Sequence, residues 1–575
     1  MSKNTLYYGD NLDVLARHIR DETVDLVYLD PPFNSNQDYN VLFDEHDGTR
    51  AAAQVHAFED TWEWDSRSQS AYEALVEGGH SRLAQTMRAF RTFLGESDVM
   101  AYLALMAPRL VELRRVLKPT GSLFLHCDPT VSHYLKLLLD AVFGPQRFIN
   151  EVVWQRISAH NDAQRFGRVH DVLLYYSKSE TRHWNTQYDK PDETYFKSHD
   201  FERDKRGRLF RKRDLTAPAR GDSGQYEWKG KRPPGGRMWS YSQDNMRRLE
   251  KEGRISYTRT GMPRLKLFVD ELPGIPYQDV WASPDLWLNS AAKERLGYQT
   301  QKPESLLERI IRCTTQEGDT VLDPFCGCGT AVSVAQRTNR RWVGIDITHL
   351  AIGIIRNRLQ TAYGEAAEFE VIGEPISVHD ARTLAMNDRY QFQWWALWRA
   401  GARPTERKKG PDRGIDGRLF FHDDDGGSSK QIIFSVKSGQ SVSVSDVREL
   451  SYVVRREQAQ IGVLLTLENP TRAMTREATT SGFYRSAWGE HQRIQILTIA
   501  ELLSGKTVDF PSAARNVTYK PAPRTKVKPS AEQVPMDFTQ PATPAKEALA
   551  SPPSARLKPS RIRLAPSAKR DSIKR

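Results

Sequence analysis

Residues 320–330, TVLDPFCGCGT, decide the fold of this 575-residue chain. They predict a strand that ends at an acidic residue and continues into a turn with two glycines. The next residues, VSVAQRT (332–338), have helical spacing, and RRWVGIDI (340–347) reads as a second strand. Strand, glycine turn, helix and strand in this order are typical of the opening half of a Rossmann-like α/β sheet.

The glycine turn predicts a cofactor that lacks a pyrophosphate. Gly327 and Gly329 have no Cβ, so the backbone can adopt positive φ and approach a ligand closely. Their spacing falls short of the G-x-G-x-x-G pattern of dinucleotide sites. Asp346 lies about twenty residues beyond the turn, where a carboxylate can accept both hydroxyls of a ribose.

The same α/β pattern opens the chain. TLYYGD (5–10), NLDVLARHIRDE (11–22) and TVDLVYLDPPF (23–33) predict strand, helix and strand. A helix that stops at Pro119 precedes further strand candidates, which are GSLFLHCD (121–128), FINEVVWQR (148–156) and RVHDVLLYYSK (168–178).

Four acidic residues end four apolar strands, and these are Asp10, Asp30, Asp323 and Asp346. Ligands of open α/β sheets bind at the carboxyl ends of the strands, so we expect the four side chains to face one crevice.

The run Asp30-Pro31-Pro32-Phe33 predicts a site for an amino group. Two prolines fix φ near about −65° and remove two N–H donors, which leaves a rigid rim of acceptors. An exocyclic amino group offers two N–H donors and would fit that rim. A plain proline-terminated strand is the alternative that this run alone leaves open.

Charge is segregated along the chain. Residues 201–270 contain 19 Lys and Arg against 9 Asp and Glu, and residues 511–575 contain 14 against 4, so each block has a net charge of +10. The whole chain has a net charge of +11, so the remaining residues together are negative, at −9. Concentrated positive charge favours a polyanionic partner, because basic side chains near phosphates release condensed counterions. A solvated basic loop and a solubilising tail are the alternative.

The composition of the chain indicates its cellular compartment. The four cysteines are not spaced as ligands, which argues for a reducing compartment and against structural zinc. No stretch reaches 18 apolar residues, and the N-terminus lacks the character of a signal peptide. We therefore expect a soluble cytoplasmic protein that does not contact a membrane.

Seven motifs together carry a family resemblance, and they are YYGD (7–10), LDPPF (29–33), FEDTWEWD (58–65), SLFLHCDPT (122–130), RVHDVLLYYSK (168–178), QKPESLLERI (301–310) and LDPFCGCGT (322–330). In this order they resemble the amino DNA methyltransferases of the β arrangement, in which the target-amino motif precedes the cofactor motif. The resemblance spans about residues 1–360. It implies an α/β, Rossmann-like methyltransferase sheet that uses S-adenosyl-L-methionine, with an inserted target-recognition domain.

The resemblance also implies roles for residues. Asp30, Pro31, Pro32 and Phe33 would act on the target base. The implied cofactor residues are Asp10 for the adenine, Asp346 for the ribose, the turn residues Asp323, Pro324, Phe325, Gly327, Gly329 and Thr330 for the methionine part, and Gln301 and Lys302 of an additional cofactor motif. Within the family, Asp at the first position of the amino motif goes more often with adenine, whereas Ser is more usual for cytosine N4.

A third segment resembles the Mrr-like branch of the PD-(D/E)xK endonuclease fold, on PDRGIDGRLFF (411–421) and QIIFSVKSG (431–439). Asp416 and Lys437 match that pattern, but Ser435 stands where the family has Glu, Asp or Gln. A hydroxyl is a poor Mg²⁺ ligand compared with a carboxylate. Asp416 is therefore a metal ligand, and Mg²⁺ a cofactor, only if this part is active. Asp412 or Gln393 could supply a missing ligand.

The predicted organisation has six parts. They are a catalytic part (1–182), a target-recognition insert (183–290), a cofactor-binding part (291–362), a linker (363–385), a smaller α/β nuclease-like domain (386–510) and a disordered basic tail (511–575).

The sequence thus predicts a site-specific methyltransferase that acts on N6 of a flipped adenine in double-stranded DNA. Three alternatives stay open: N4-cytosine methylation, a single-chain restriction-modification enzyme whose C-terminal domain cleaves DNA, and a catalytically silent DNA-binding protein. The sequence leaves the recognition site and a homodimeric state undecided.

Overall fold

The computed structural model describes most of the chain, in residues 3–32, 64–78, 81–159, 164–190, 196, 200–219, 224–288, 292, 294–296, 298, 300–405, 414–422, 429–439, 442–511 and 515–516. Predictions for Phe33, for Asp412, for most of 58–65 and for nearly all of the tail 511–575 lie outside these residues.

The first part of the chain contains the predicted strands and helices, together with two helices over 66–94 that were not predicted from the sequence. Its elements are β1 (Asn4–Tyr8), α1 (Asn11–His18), β2 (Val24–Leu29), α2 (Ser66–Glu77), α3 (Ser81–Leu94), α4 (Asp98–Val116), β3 (Leu117–Cys127), α5 (Ser132–Phe143), β4 (Phe148–Gln155) and β5 (His170–Ser177). Helix α4 ends at Val116 rather than at Pro119, and Leu117 is already extended (φ −64°, ψ 138°). Pro119 contributes to this end, because Lys118, the residue directly before it, avoids the helical region.

The insert forms a small fold of its own. Its elements are β6 (Tyr188–Asp189), β7 (Phe201–Arg203), β8 (Leu209–Asp214), β9 (Thr216–Pro218), β10 (Arg237–Trp239), α6 (Gln243–Lys251), β11 (Ile255–Tyr257), β12 (Pro263–Phe268), β13 (Ile275–Pro276) and β14 (Val280–Trp281). Strands β11, β12, β8 and β7 pair in that order. Trp228, Trp239 and Met246 are buried in a separate core there. Strand β14, at the end of the insert, pairs with β4, so the predicted insert 183–290 also contributes to the large sheet.

The α/β pattern then resumes. Its elements are α7 (Glu304–Thr314), β15 (Thr320–Asp323), α8 (Thr330–Arg337), β16 (Arg341–Asp346), α9 (His349–Tyr363) and β17 (Phe369–Ile372). Strand β17 pairs with β1, so the stretch predicted as a linker contains a strand of the sheet. Its residues FEVI cover the otherwise open edge of β1.

One nine-stranded sheet unites the two methyltransferase parts in the described residues, in the order β14-β4-β5-β3-β2-β15-β16-β1-β17. Strand β5 is antiparallel to both of its neighbours, and the other pairings are parallel. The carboxyl ends of eight strands therefore meet the amino end of β5 at a single edge. This confirms the predicted Rossmann-like sheet.

The C-terminal part is a second, smaller α/β fold. Its elements are α10 (Val378–Asn387), α11 (Arg389–Arg399), β18 (Arg403–Pro404), β19 (Gly417–His422), β20 (Lys430–Lys437), α12 (Val444–Arg456), β21 (Ile461–Thr466), α13 (Arg472–Thr480), β22 (Phe483–Ser486), β23 (Gly489–Gln492), β24 (Ile494–Thr498), α14 (Ile499–Leu503) and β25 (Arg515–Asn516). Strands β18, β19, β20, β21 and β24 pair in that order, and β25 joins β19.

The two α/β folds contact each other through helices. The ring of Trp398 on α11 lies against Gly353 of α9, where a Cβ would come within 2.7 Å of Trp398 Cδ2. The backbone N–H of His349 donates to Gln391 Oε1 at 3.3 Å. Helix α11 thus packs on the helix that follows Asp346. Among the described helices, none is both long and apolar enough to cross a membrane.

Candidate active site

The carboxyl edge of the large sheet holds a cleft of about 410 Å³. Its walls include all four acidic residues predicted to share a crevice, Asp10, Asp30, Asp323 and Asp346. The common direction of β1, β2, β15 and β16 brings them together, since each acid ends or follows one of these strands. The sequence prediction of a single site at the strand ends is thereby matched by the geometry.

The glycine turn forms one wall of the cleft, and both glycines are needed there. Gly327 and Gly329 have φ of +49° and +73°, in the left-handed region. A Cβ on Gly329 would lie 2.7 Å from Ile355 Cγ1, and one on Gly327 would lie 3.2 Å from Tyr298 Cε1. The Pro324 carbonyl accepts a hydrogen bond from Asn11 Nδ2 at 2.9 Å, which ties the turn to α1.

The two ends of the turn are also held by charged groups. Thr330 begins α8, and Arg358 Nη1 approaches its hydroxyl at 3.4 Å and donates to the Cys328 carbonyl at 3.0 Å. Phe325 N–H donates to Asp323 Oδ1 at 3.1 Å. Burial raises the pKa of Asp323 well above its usual range. These hydrogen bonds hold the turn in place as one wall of the cleft.

Asp346 links the turn to the following helix. Its Oδ2 accepts from Gly327 N–H at 2.9 Å, and its Oδ1 accepts from Thr348 N–H at 2.9 Å and from Thr348 Oγ1 at 2.8 Å. Burial raises the pKa of Asp346 to about 6, against the effect of these hydrogen bonds. A carboxylate offers about four lone-pair sites, so Oδ2 keeps acceptor capacity towards the cleft.

Asp10 lies at the start of α1, where its carboxylate caps the helix by accepting from Leu12 N–H at 2.8 Å. Arg109 Nη2 on α4 donates to both of its oxygens, at 2.9 and 3.0 Å. The side chain is 45% exposed. Asp10 is thus fixed in place at the rim of the cleft while one face of the carboxylate stays open to solvent.

Asp30 stands directly after β2, with Pro31 and Pro32 beside it in the same cleft. Its Oδ2 forms an ion pair with Lys302 Nζ. Its Oδ1 faces the imidazole of His126, with 4.0 Å between Oδ1 and Nδ1. Lys302, predicted as part of a cofactor motif, therefore contacts the residue predicted to act on the target base.

Gln301 makes different contacts from those of its neighbour Lys302. The side chain is buried, its Oε1 accepts from Leu296 N–H at 2.8 Å, and its Nε2 donates to the Glu294 carbonyl at 2.7 Å. These bonds hold the segment that precedes α7 against the cleft. Gln301 lines the site, and its polar atoms stabilise a loop.

The residue pair His126 and Asp171 was missed as functional, although both lie in quoted motifs. His126 lies at the end of β3 and Asp171 at the start of the reversed strand β5, so the topology brings them to the same edge. His126 Nε2 is 3.2 Å from Asp171 Oδ2, and His126 Nδ1 is 2.9 Å from the Tyr28 hydroxyl. The sequence did contain a signal for this pair. Polar residues end the apolar run LFLHCD (123–128) and begin the apolar run HDVLLYY (170–176).

Asp416 directly precedes β19, and Ser435 and Lys437 lie on the neighbouring strand β20. The carboxylate of Asp416 accepts from Val436 N–H at 2.7 Å, and Ser435 is buried on β20. Lys437 Nζ pairs with Asp446 Oδ1 at 3.1 Å, from α12 rather than from the strand. Within the described residues no group of three or more His, Cys, Asp or Glu is placed to hold a metal ion.

Two family models match the chain. One, described as a DNA methylase of the N6/N4 methyltransferase type, matches residues 24–357. The other, described as a NACHT-associated inactive restriction endonuclease, matches residues 389–504. The second match covers the segment that the sequence assigned to a nuclease-like fold.

Two curated relatives match somewhat more than half of the chain. The type II methyltransferase M.EcaI of Enterobacter cloacae is 28% identical over 349 residues, which are 58% of this chain and 75% of that protein. The Mod subunit of the type III restriction-modification enzyme StyLTI of Salmonella typhimurium is 26% identical over 364 residues, 59% of this chain and 50% of the subunit. The chain thus spans half the length of the second relative.

Solved structures also resemble the chain. A DNA modification methylase of Thermus thermophilus complexed with S-adenosyl-L-methionine is 14% identical, with 65% of this chain and 99% of that chain covered and a TM-score of 0.30. The PvuII cytosine-N4-specific DNA methyltransferase is 15% identical, with 62% and 86% covered and a TM-score of 0.28.

Proposed function

The chain belongs to the N6/N4 family of DNA methylases, and we propose that it transfers a methyl group from S-adenosyl-L-methionine to N6 of a flipped adenine in double-stranded DNA. DNA methylation as such follows from the family. The choice of adenine, the action of single residues and the double-stranded site are the proposal.

A single observation carries it: the Asp30-Pro31 rim and the glycine turn line the same cleft. A methyl group passes directly from cofactor to base only if both are bound side by side, with the reacting atoms about 3–3.5 Å apart. The cleft provides both walls within one volume of about 410 Å³, which lies in the range of pockets that take small ligands.

The residues of the cleft fit S-adenosyl-L-methionine by charge and shape. The cofactor carries positive charge on its sulfonium and its amine, and Asp346, which is ionised above about pH 6, faces the cleft. The missing Cβ atoms of Gly327 and Gly329 leave room for close approach. When bound, the cofactor supplies an electrophilic methyl group.

Each residue then has a role that its position supports. Asp323, Pro324, Phe325 and the two glycines would hold the methionine part together with Thr330. Asp346 would accept from the ribose, and Asp10 would meet the adenine at the exposed rim. Gln301 would act indirectly through the loop that it stabilises.

The chemistry at the base follows from its amino group. The lone pair of this nitrogen is conjugated with the ring, so it must rehybridise before it can attack. Asp30 and the Pro31 carbonyl would accept the two amino hydrogens and stabilise the charge that develops in the transition state. The target atom is inaccessible within a base stack, so the base must first be flipped into the cleft at a cost of a few kcal/mol.

Lys302 and Phe33 also have proposed roles at the target base. The ion pair between Lys302 and Asp30 Oδ2 leaves Oδ1 as the oxygen that faces His126. The incoming amino group would share Oδ2 with the ammonium or displace it. Phe33, which lies outside the described residues, would stack on the ring.

Replacing Asp30 tests the proposal. Asp30→Ala should abolish methyl transfer and leave cofactor affinity within about threefold, because the carboxylate acts on the target amino group. The assay follows transfer of a labelled methyl group to DNA and measures cofactor binding by calorimetry on the same preparation.

A matched control is Asp13→Ala, which removes an exposed carboxylate of α1 that pairs with Arg17. The control should keep wild-type activity. An Asp30→Ala enzyme that retains most of its turnover would rule out the role of Asp30.

A further inference from the structure

A buried hydrogen-bonded chain lies behind Asp30. His126 is 2% exposed and is placed between the Tyr28 hydroxyl, 2.9 Å from Nδ1, and Asp171 Oδ2, 3.2 Å from Nε2. The edge of its ring packs on Trp154, with ring centroids 5.4 Å apart. His126 lines the cleft, but the proposed function assigns it no role.

The partners of His126 fix where its proton lies. Although burial opposes it, the hydrogen bond with His126 lowers the pKa of Asp171, so this carboxylate is ionised and accepts. Nε2 must then carry the hydrogen. Burial raises the pKa of Tyr28 well above its usual range, so its hydroxyl keeps its proton. A neutral imidazole therefore has its lone pair on Nδ1, on the side of Asp30.

We propose that His126 receives, by way of Asp30, the proton that leaves the target amino group, and that Asp171 is a positioning residue that holds the imidazole in the required tautomer. This inference rests on the proposed function, since it takes Asp30 as the acceptor of the amino hydrogen. The arrangement of acid, histidine and acid follows the logic by which a buried carboxylate orients a catalytic histidine.

The protons and electrons balance. The new N–C bond uses the lone pair of the amino nitrogen, and the electrons of the broken C–S bond stay on sulfur. The nitrogen is then left with one proton in excess. This proton passes to the Asp30 carboxylate, and a rotation of that carboxylate carries it across the present 4.0 Å to Nδ1. The Tyr28 hydroxyl, which donates to Nδ1 while the imidazole is neutral, turns so that its oxygen accepts instead. The imidazolium, paired with the Asp171 carboxylate, later releases the proton to solvent.

Several titratable groups belong to or face the hydrogen-bonded residues Tyr28, His126 and Asp171 and affect the pH dependence of methyl transfer. Those described are Tyr28 and Asp30 from the end of β2, Cys127 and Asp128 from the end of β3, Tyr102 from α4, Arg156 from the end of β4, Asp171 from β5, Lys302 before α7 and Asp323 from β15. Arg156 Nε lies 3.5 Å from Asp171 Oδ1 and favours its ionised form.

The test measures single-turnover methyl transfer with His126→Gln. Glutamine can keep both hydrogen bonds, but it cannot take up a proton. The substrate is genomic DNA amplified in vitro, which carries no methyl groups, and the cofactor is kept saturating so that titration of Asp346 does not enter. We expect the rate to fall at least about 100-fold, within the usual range for general acid–base groups. Cofactor and DNA affinities should change by less than about threefold.

The pH profile separates proton transfer from a structural role. The wild-type rate should change with pH, and His126→Gln should lose this dependence because glutamine cannot take up a proton. Asp171→Asn should slow the reaction at least about tenfold by favouring the other tautomer. The double variant should be no slower than His126→Gln, because the two residues act as one unit.

Tyr175→Phe is the matched control, since it removes a hydrogen bond of 3.3 Å to Ser122 between the same two strands, away from the cleft. It should keep the wild-type rate and pH profile. A His126→Gln rate within about threefold of wild type, or an unchanged pH profile, would overturn the inference while DNA methylation stands. A wild-type enzyme that transfers no methyl group would instead overturn the proposed function.

Discussion

Replacing Asp346 by asparagine should weaken cofactor binding in a way that the structure allows to be estimated. The carboxylate accepts three hydrogen bonds, from Gly327 N–H, Thr348 N–H and Thr348 Oγ1. An asparagine Oδ1 can still accept from Thr348, but its NH₂ group then faces the N–H of Gly327, donor against donor. The same NH₂ group then stands where Oδ2 would accept from the ribose, and losing that charge-assisted hydrogen bond to the cofactor costs about 1.5–3 kcal/mol. At about 1.4 kcal/mol per factor of ten, affinity should fall roughly 10- to 150-fold.

The pH dependence gives a second readout. Because burial raises the pKa of Asp346 to about 6, the ionised acceptor is present above that pH and is lost below it. Wild-type affinity should be constant at pH 7–8 and should fall by up to about tenfold per unit below pH 6. The asparagine variant should not show this fall in affinity below pH 6.

Isothermal titration calorimetry from pH 5 to 8 measures both effects. Asp319→Asn is the matched control, because Asp319 precedes β15 at the opposite edge of the sheet. It should bind cofactor as the wild type does. Unchanged affinity in Asp346→Asn, or an equal decline at acid pH in both enzymes, would refute the ribose role of this carboxylate.

Three further outcomes follow. Gly329→Ala should lower the melting temperature by several degrees and reduce cofactor binding, since the residue needs φ of +73° and the new Cβ would lie 2.7 Å from Ile355 Cγ1. Deleting 511–575 should weaken binding to all DNA sequences alike and flatten the salt dependence, whereas disrupting 201–270 should destroy site preference; a change of methylated site after the deletion would contradict this. The C-terminal domain should nick plasmid weakly or not at all, and strong cleavage in Mg²⁺ or Mn²⁺ that disappears in Lys437→Ala would be the opposite result.

The large sheet could be predicted because its strands are short apolar runs that end in acids or glycines. Residues 23–30 and 320–323 show this clearly, and they became adjacent strands. What escaped prediction depends on tertiary pairing. Strand β17 is only four residues long and is defined by its partner β1, so no local pattern separates it from a linker.

The site could be predicted to the level of the acids and the glycine turn, since motifs at strand ends converge when the strands are parallel. The partners of those residues could not. Lys302 reaches Asp30 across 272 positions of sequence, and His126 reaches Asp171 only because β5 runs against β3. Such contacts depend on strand order and direction, which a sequence pattern leaves open.

The identity of the methylated nucleoside tests the central claim most directly. Unmethylated genomic DNA is incubated with the protein and methyl-labelled S-adenosyl-L-methionine, digested to nucleosides and separated by chromatography with mass detection. The account predicts that the label appears in N6-methyladenine and is absent from DNA treated with the Asp30→Ala protein. Label in N4-methylcytosine would overturn the choice of base, and DNA without label would contradict the account as a whole.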